Sequence, residues 1–271
     1  MTIRPRFAAS VILARAAPRG FELYMTRRSR HSPFAAGAFV FPGGTVDARD
    51  FSQEARAQTL GLEPARVRAL FKAQDPHELP SGEAGIDDAA AAALLVAALR
   101  ELFEEAGILI ARTAGGSPVA ALAVAADDVR EARARIGTGE LAFADFLARH
   151  DWFADARELS LFSHWITPPT EPRRYNTHFF FALAPPQQAG MADAHETHEG
   201  IWIAPHAALA RHGDPAFHLV HPTLKHLQRL AAFDSIEDLR LFAVSKDVFT
   251  ILPRTTADGG FSLPAALEDA W

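Results

Sequence analysis

The stretch Arg100-Glu101-Leu102-Phe103-Glu104-Glu105-Ala106-Gly107-Ile108 places three carboxylates within five positions. At 100° per residue, Glu104 lies about 60° to one side of Glu101 and Glu105 about 40° to the other, so all three share one helical face. Leu95, Leu99, Leu102, Phe103 and Ala106 take the opposite face. An acidic stripe is ordinarily the solvated side of an amphipathic helix. Tracing its azimuth backwards, however, meets Ala90, Ala91, Leu94, Ala97 and Ala98, with no charge between Asp88 and Arg100. A helix that is apolar all round and then acidic in its last two turns is buried at one end and opens on a polar cleft at the other. Carboxylates this close repel one another unless cations offset them. Arg100 supplies one positive charge, and a divalent metal is the natural supplier of the rest.

The surrounding chain reads as mixed α and β. Asp87 or Asp88 can cap the helix and Gly107 can end it. Before it, residues 8–15 and 21–26 predict a hairpin, and Phe39-Val40-Phe41 a short buried strand running into a Gly43-Gly44 turn. Helices are expected over 52–60 and 64–73, the second with Pro64 in its first turn, and a loop over 75–82. After it come a glycine-rich turn over 113–118 and helices over 127–136 and 140–149. Strands are expected over 159–167, 177–183 and 200–203, a closing helical pair over 222–232 and 235–242, and a last strand over 249–252. No repeat of fixed period is present.

The nine residues match, at every position, the second half of the Nudix box, R-E-U-x-E-E-x-G-U with U a bulky aliphatic residue. The stretch Phe39-Val40-Phe41-Pro42-Gly43-Gly44-Thr45-Val46-Asp47 resembles its first half. The usual spacing would put a glycine at Ile86 and a glutamate at Ala92, so the box is split by an insertion at about 48–86. Such a split resembles the branch related to coenzyme A and acyl-coenzyme A diphosphatases. Trp165-Ile166-Thr167-Pro168, Pro172-Arg173-Arg174-Tyr175-Asn176-Thr177 with Phe179-Phe180-Phe181, and Pro222-Thr223-Leu224 are similar to segments of that branch. The coenzyme A fingerprint is only partly matched, by residues 23–29 and 37–44, which bears on substrate rather than chemistry.

The resemblance implies an α/β class fold. It is the Nudix α/β/α sandwich with a mixed sheet, read as a single domain over 1–271 with a helical insertion at 48–86 and a helical C-terminal extension over 205–271. It implies that Glu101, Glu104 and Glu105, with the Gly44 carbonyl, bind Mg2+ or Mn2+, that Glu101 is also placed to polarise the water, and that Arg100 orients the cluster. Three carboxylates on one face suit these hard cations, which prefer oxygen ligands. Asp47, Asp87 and Asp88 are the candidates to replace the glutamate absent at position 92. Family habit puts an auxiliary acid at Glu196 or Glu199. Arg173 and Arg174 beside Tyr175 can clamp a phosphate and stack a base, as can Arg27 and Arg28, because guanidinium forks suit phosphate oxygens. Structural arginines are the alternative at both places. The run His195-Glu196-Thr197-His198-Glu199 spaces its histidines at three rather than the four of a zinc helix, and His218, His221 and His226 show no metal spacing.

Composition narrows the classes further. With 271 residues, 49% hydrophobic and 22% charged, the chain is globular. A net charge of −6 and a pI near 6.0 give no electrostatic footprint for nucleic acid or an anionic membrane. The absence of cysteine excludes disulfides and thiol catalysis and fits a cytoplasmic, reducing setting. Residues 1–7 lack the apolar core of a signal peptide, the run 89–99 is too short to span a bilayer, and the tail is not a peroxisomal Ser-Lys-Leu. The expected activity is metal-dependent hydrolysis of a diphosphate in a nucleoside diphosphate linked to another moiety, with coenzyme A or an acyl-coenzyme A favoured. The alternatives are an ADP-ribose or dinucleotide diphosphatase and a non-catalytic nucleotide-binding regulator. The expected partner is a small nucleotide substrate, and a homodimer is left open.

Overall fold

The computed structural model describes residues 3–32, 35–72, 85–188, 190, 197–257 and 259–267. Strands β1 (Arg6–Ala16) and β2 (Phe21–Arg28) form the expected hairpin, closed where Ala17 donates to the Gly20 carbonyl with Gly20 at φ 70°. There follow β3 (Phe39–Val40), β4 (Gly43–Thr45), α1 (Gln53–Ala57), β5 (Thr59–Leu60), α2 (Pro64–Leu70) and the long α3 (Asp88–Ala106). Next come β6 (Ala111–Thr113), α4 (Ala121–Val124), α5 (Asp127–Gly137), α6 (Phe143–Arg149) and β7 (Trp152–Asp155). The chain continues through β8 (Ser160–Ile166), β9 (Tyr175–Leu183), β10 (Thr197–Ile203), α7 (Pro205–Ala210), α8 (His221–Leu230) and α9 (Ile236–Ser245). It ends in β11 (Thr250–Ile251) and the small hairpin of β12 (Arg254–Thr255) and β13 (Phe261–Ser262).

The main sheet runs β10-β2-β1-β9-β8-β11, with β3 on β2 and β4 on β1. It is mixed, since β1 with β9 and β8 with β11 are parallel and the other pairs antiparallel. Side-chain alternation divides it between two cores. Val11, Leu13, Phe180 and Ala182 face the core built around α3. Ile12, Ala14, Phe179 and Phe181 face a second core closed by Ala208 of α7, Leu227 and Leu230 of α8, and Leu239 and Ala243 of α9. A sheet with both faces buried under helices is the α/β/α sandwich the sequence implies.

Helix α3 has the predicted ends. The Asp87 side chain accepts from Ala90 N, and Gly107 adopts φ 63°, a left-handed conformation that costs glycine little. Ala90 to Leu99 are buried without interruption, as the apolar azimuth requires.

The insertion differs from the expected helix pair. The helix over 52–60 stops at Ala57, where the Thr59 hydroxyl donates to the Ala55 carbonyl, and Thr59–Leu60 pair in parallel with β7. β5, β7 and β6 thereby form a three-stranded second sheet. Its strands are too short to show alternation, so sequence pattern does not reveal them. The loop expected at 75–82 lies outside the described residues. Among the described residues no helix is long and apolar enough to cross a membrane.

Candidate active site

The last two turns of α3 meet the Gly43-Gly44 turn of β4 across the edge of β1. Backbone pairing of Ala9 with Gly44 and Ser10 with Gly43 fixes that turn against the sheet. Gly43 N donates to Glu105 Oε2 at 2.9 Å, joining residues 62 positions apart. Gly44 lies directly against Glu101: a Cβ there would stand 2.5 Å from Oε1 and 2.6 Å from Cδ and Oε2. The two halves of the interrupted motif are thus reunited in space, the insertion leaving between them as an excursion.

Arg100 is the hub of the acidic set. Its Nη1 donates to Glu101 Oε1 at 2.9 Å and to Glu104 Oε1 at 3.0 Å. Its Nε and Nη2 donate to the two oxygens of Asp50, both at 2.9 Å, and Nη2 also reaches the Thr45 carbonyl. Burial pulls the Arg100 pKa down, but Glu101, Asp50 and Glu104 more than offset it, so the guanidinium stays charged. Arg133, itself buried, donates from Nε to the Glu104 carbonyl at 2.8 Å, placing a cation over the carbonyl end of α3.

Asp50 is the buried carboxylate of this cluster that pattern reading missed. Of the three proposed replacements for the absent glutamate, Asp87 caps α3, Asp88 pairs with Arg68 on the surface, and Asp47 caps the short 3-10 turn over Ala48–Phe51. Asp47 N donates to Asp50 Oδ2 at 2.8 Å, so the Asp47-x-x-Asp50 capping box holds Asp50 toward Arg100. That D-x-x-D spacing just after the glycine turn was the available signal. Position 92 is a buried alanine in the α3 core.

A cleft of about 1230 Å³ opens beside this cluster, lined by Asp50, Arg100, Glu101 and Glu104 and by the β4 turn. Of the predicted substrate residues, Arg28 and Tyr175 line it. Arg28 donates to Ser32 Oγ at 3.0 Å, and its Nη1 lies 3.9 Å from Glu105 Oε1. Arg174 is buried and serves the backbone instead, donating to the Thr167 and Ile3 carbonyls. Arg173 is exposed and does not line the cleft. Arg27 pairs with Glu199, its register partner on β10, at 3.8 Å, and both stand away from the cleft lining. Glu196 and His195 lie outside the described residues. Arg6, which no motif singles out, lines the cleft next to Thr45 and is paired in register with Tyr175.

His226 is fully buried on the face of the sheet opposite α3, behind the Phe179 ring. Ser163 Oγ approaches its Nε2 at 2.6 Å, while its Nδ1 faces the Pro222 carbonyl at 2.6 Å. The carbonyl requires a proton on Nδ1, so Ser163 is the donor to Nε2. Burial pushes the His226 pKa down to about 3. A Ser-His pair with the imidazole this deeply enclosed is a core network rather than a nucleophile.

Among the described residues no group of three His, Cys, Asp or Glu side chains is arranged to hold a metal ion. The reason is visible: Arg100 draws Glu101 and Glu104 to itself, and Gly43 N draws Glu105 to the strand side. The donors nevertheless suit a hard divalent cation in kind. They are carboxylate oxygens beside a glycine turn whose missing Cβ leaves room at Glu101.

A profile of the NUDT19 Nudix domain matches residues 5–230. The chain is 32% identical over 275 aligned positions to a Gallus gallus protein named acyl-coenzyme A diphosphatase NUDT19, covering 88% of this chain and 71% of that one. It is 29% identical over 276 positions to the Homo sapiens protein of the same name, covering 90% and 73%. A crystal structure of a NUDIX hydrolase from Alicyclobacillus acidocaldarius superposes with a TM-score of 0.63 at 26% identity, over 86% of this chain and 94% of the other.

Proposed function

The chain belongs to the NUDT19 Nudix family and is a Nudix hydrolase, and from that premise we propose that it splits the diphosphate of coenzyme A or an acyl-coenzyme A with the aid of a divalent cation. One observation carries the reading: Gly43 and Gly44 close onto Glu105 and Glu101 at the wall of a large cleft, despite the insertion between them.

Nudix hydrolases generally use divalent metal ions. Here Glu101, Glu104, Glu105 and the Gly44 carbonyl would hold the ion, and Mg2+ or Mn2+ suits such oxygen donors. Once bound, a divalent ion neutralises diphosphate oxygens and makes an attacking water more acidic. The chain's own residues supply the rest. Asp50 anchors Arg100, and Arg100 sets Glu101 and Glu104 side by side. Gly43 N fixes the direction of Glu105. Glu101, at the glycine turn, is the residue we assign to polarise the water. The water oxygen adds to one phosphorus as the P–O bond of the anhydride breaks, the leaving phosphate carries away the electron pair, and the proton the water loses passes by way of the Glu101 carboxylate to solvent. Arg28 and Arg6 are among the cations of the cleft lining and are the ones we assign to anionic substrate oxygens, with the Tyr175 ring in the same lining. A cytoplasmic setting accords with the absence of cysteine.

The test is purified protein with Mg2+ against coenzyme A, acyl-coenzyme A, ADP-ribose, NADH, diadenosine polyphosphates and nucleoside triphosphates, with products resolved. Coenzyme A should give 3′,5′-ADP and 4′-phosphopantetheine, and chelator should abolish turnover until Mg2+ or Mn2+ is restored. Preference for ADP-ribose would transfer the assignment to the dinucleotide class. Binding without turnover of any of these would make the protein a regulator.

A further inference from the structure

The cleft has two unlike lobes, with the acidic cluster between them. On one side Trp165, Phe179, Tyr175 and Phe261 line it, with Arg6 at the edge. On the other, the insertion and the segment from α5 to α6 enclose an apolar pit. Its walls are Ala55, Val96, Ile136, Leu141, Ala144 and Leu147, all of them buried residues that nonetheless border open cavity. Ala55, Val96 and Ala144 form a small apolar cluster of their own, separate from the two large cores. Small side chains at these three positions leave room that leucine or phenylalanine would fill.

Charge decides which end of the substrate each lobe accepts. Two exposed carboxylates, Glu54 and Asp145, border the apolar pit. The nearby Arg49 extends its Nη1 to the Gly139 carbonyl at 2.8 Å. Carboxylates at its border disfavour a phosphorylated nucleoside, whereas an uncharged hydrocarbon loses nothing there. The aromatic lobe also carries one carboxylate, Glu171, but there it stands with the cation Arg6, so the lobe offers rings for a base and a guanidinium for a phosphate.

Resting on the coenzyme A reading above, we infer that the pit between the insertion and α6 receives the acyl end of the substrate, and that Ala55 and Ala144 set the chain length accepted. The nucleoside then lies in the aromatic lobe, with the diphosphate across the acidic cluster. The segment that splits the box thus forms one wall of a specificity pocket.

The experiment measures kcat/KM for coenzyme A and for straight-chain acyl-coenzyme A substrates of rising length, in wild type, Ala144→Phe, Ala55→Leu and Leu147→Ala. Each buried methylene is worth roughly fourfold in affinity. Filling the pit should therefore lower the ratio of long-chain to unacylated kcat/KM at least tenfold, and Leu147→Ala should move the optimum to longer chains. The enlarging variant keeps the test meaningful should a filling variant misfold. Ratios within about twofold of wild type in every folded variant would overturn the pocket assignment alone. A wild type that cleaves neither coenzyme A nor its thioesters would overturn the coenzyme A reading, and the pocket assignment with it.

Discussion

Gly44→Ala isolates the geometry on which the site depends. The added methyl would lie 2.5–2.6 Å from three atoms of the Glu101 carboxyl group. Comfortable contact needs about 3.5 Å, so Glu101 must withdraw by about 1 Å. A carboxylate at the end of a flexible side chain can do this cheaply, so the fold should survive with a Tm near wild type. Catalysis should not, because a displacement of about 1 Å in a catalytic group costs about a hundredfold in rate. Gly43→Ala is the contrasting control. Its methyl would strike main chain, the Ala9 carbonyl oxygen and, at 2.6 Å, the Ser10 Cα, within the β1 pairing that positions the turn. Neither can retreat, so that variant should lose about 3 kcal/mol of stability. Steady-state kcat on whichever nucleotide the wild type cleaves, beside thermal and urea unfolding, separates the two effects. A Gly44→Ala protein with wild-type kcat would show that the position of Glu101 against the turn is irrelevant to the chemistry.

Two further outcomes follow from buried charge. Asp50→Asn removes the carboxylate that binds Arg100 through two nitrogens, so the urea midpoint should reflect a loss of about 3 kcal/mol and kcat should fall with it; an unchanged midpoint would show that Glu101 and Glu104 hold Arg100 unaided. His226 remains neutral in the folded chain to about pH 3, whereas its unfolded counterpart protonates near 6.5. Its stabilisation is therefore complete above about pH 6.5 and is lost as pH falls toward 3, amounting to roughly 5 kcal/mol. His178, buried beside His164 and pushed well down chiefly by burial, acts with the same sign. The slope of unfolding free energy against pH should flatten over this interval in His226→Gln, and an unaltered slope would refute the assignment.

The candidate site's core was legible because most of it is local. Nine consecutive residues and one glycine pair carry it, and both caps of α3 follow from single residues, Asp87 and Gly107. The β1–β2 hairpin was equally plain from two apolar runs around a Pro-Arg-Gly turn. What escaped depends on distant partners. Asp50 resembles any surface aspartate until the turn folds it back onto Arg100, and Arg174 differs from Arg173 only in turning inward where the bend over 171–173 leads into β9. Thr59–Leu60 reads as the end of a helix because two residues cannot display a strand's alternation, and their pairing with β7 comes from more than ninety positions away. Arg6 was silent because the arginines at 4 and 6 belong to no motif that would tell one from the other.

The way the insertion is woven in also constrains the history of this chain. It contributes β5 as the parallel neighbour of β7, packs Val67 into the core around α3, and carries Asp50 to Arg100. Excising 48–86 to restore a contiguous box would at one stroke bare an edge strand, open a hole against the alanine-rich half of α3 and leave a buried guanidinium without its anchor. Together these losses are of the order of the whole margin by which such domains stay folded. A lineage that has acquired this segment therefore cannot shed it in a single step: descent to the shorter form would require prior replacement of alanines 90–93 by bulkier side chains and a new partner for Arg100. The interruption thus works as a ratchet, and length at this point should vary among relatives far less than in an ordinary surface loop.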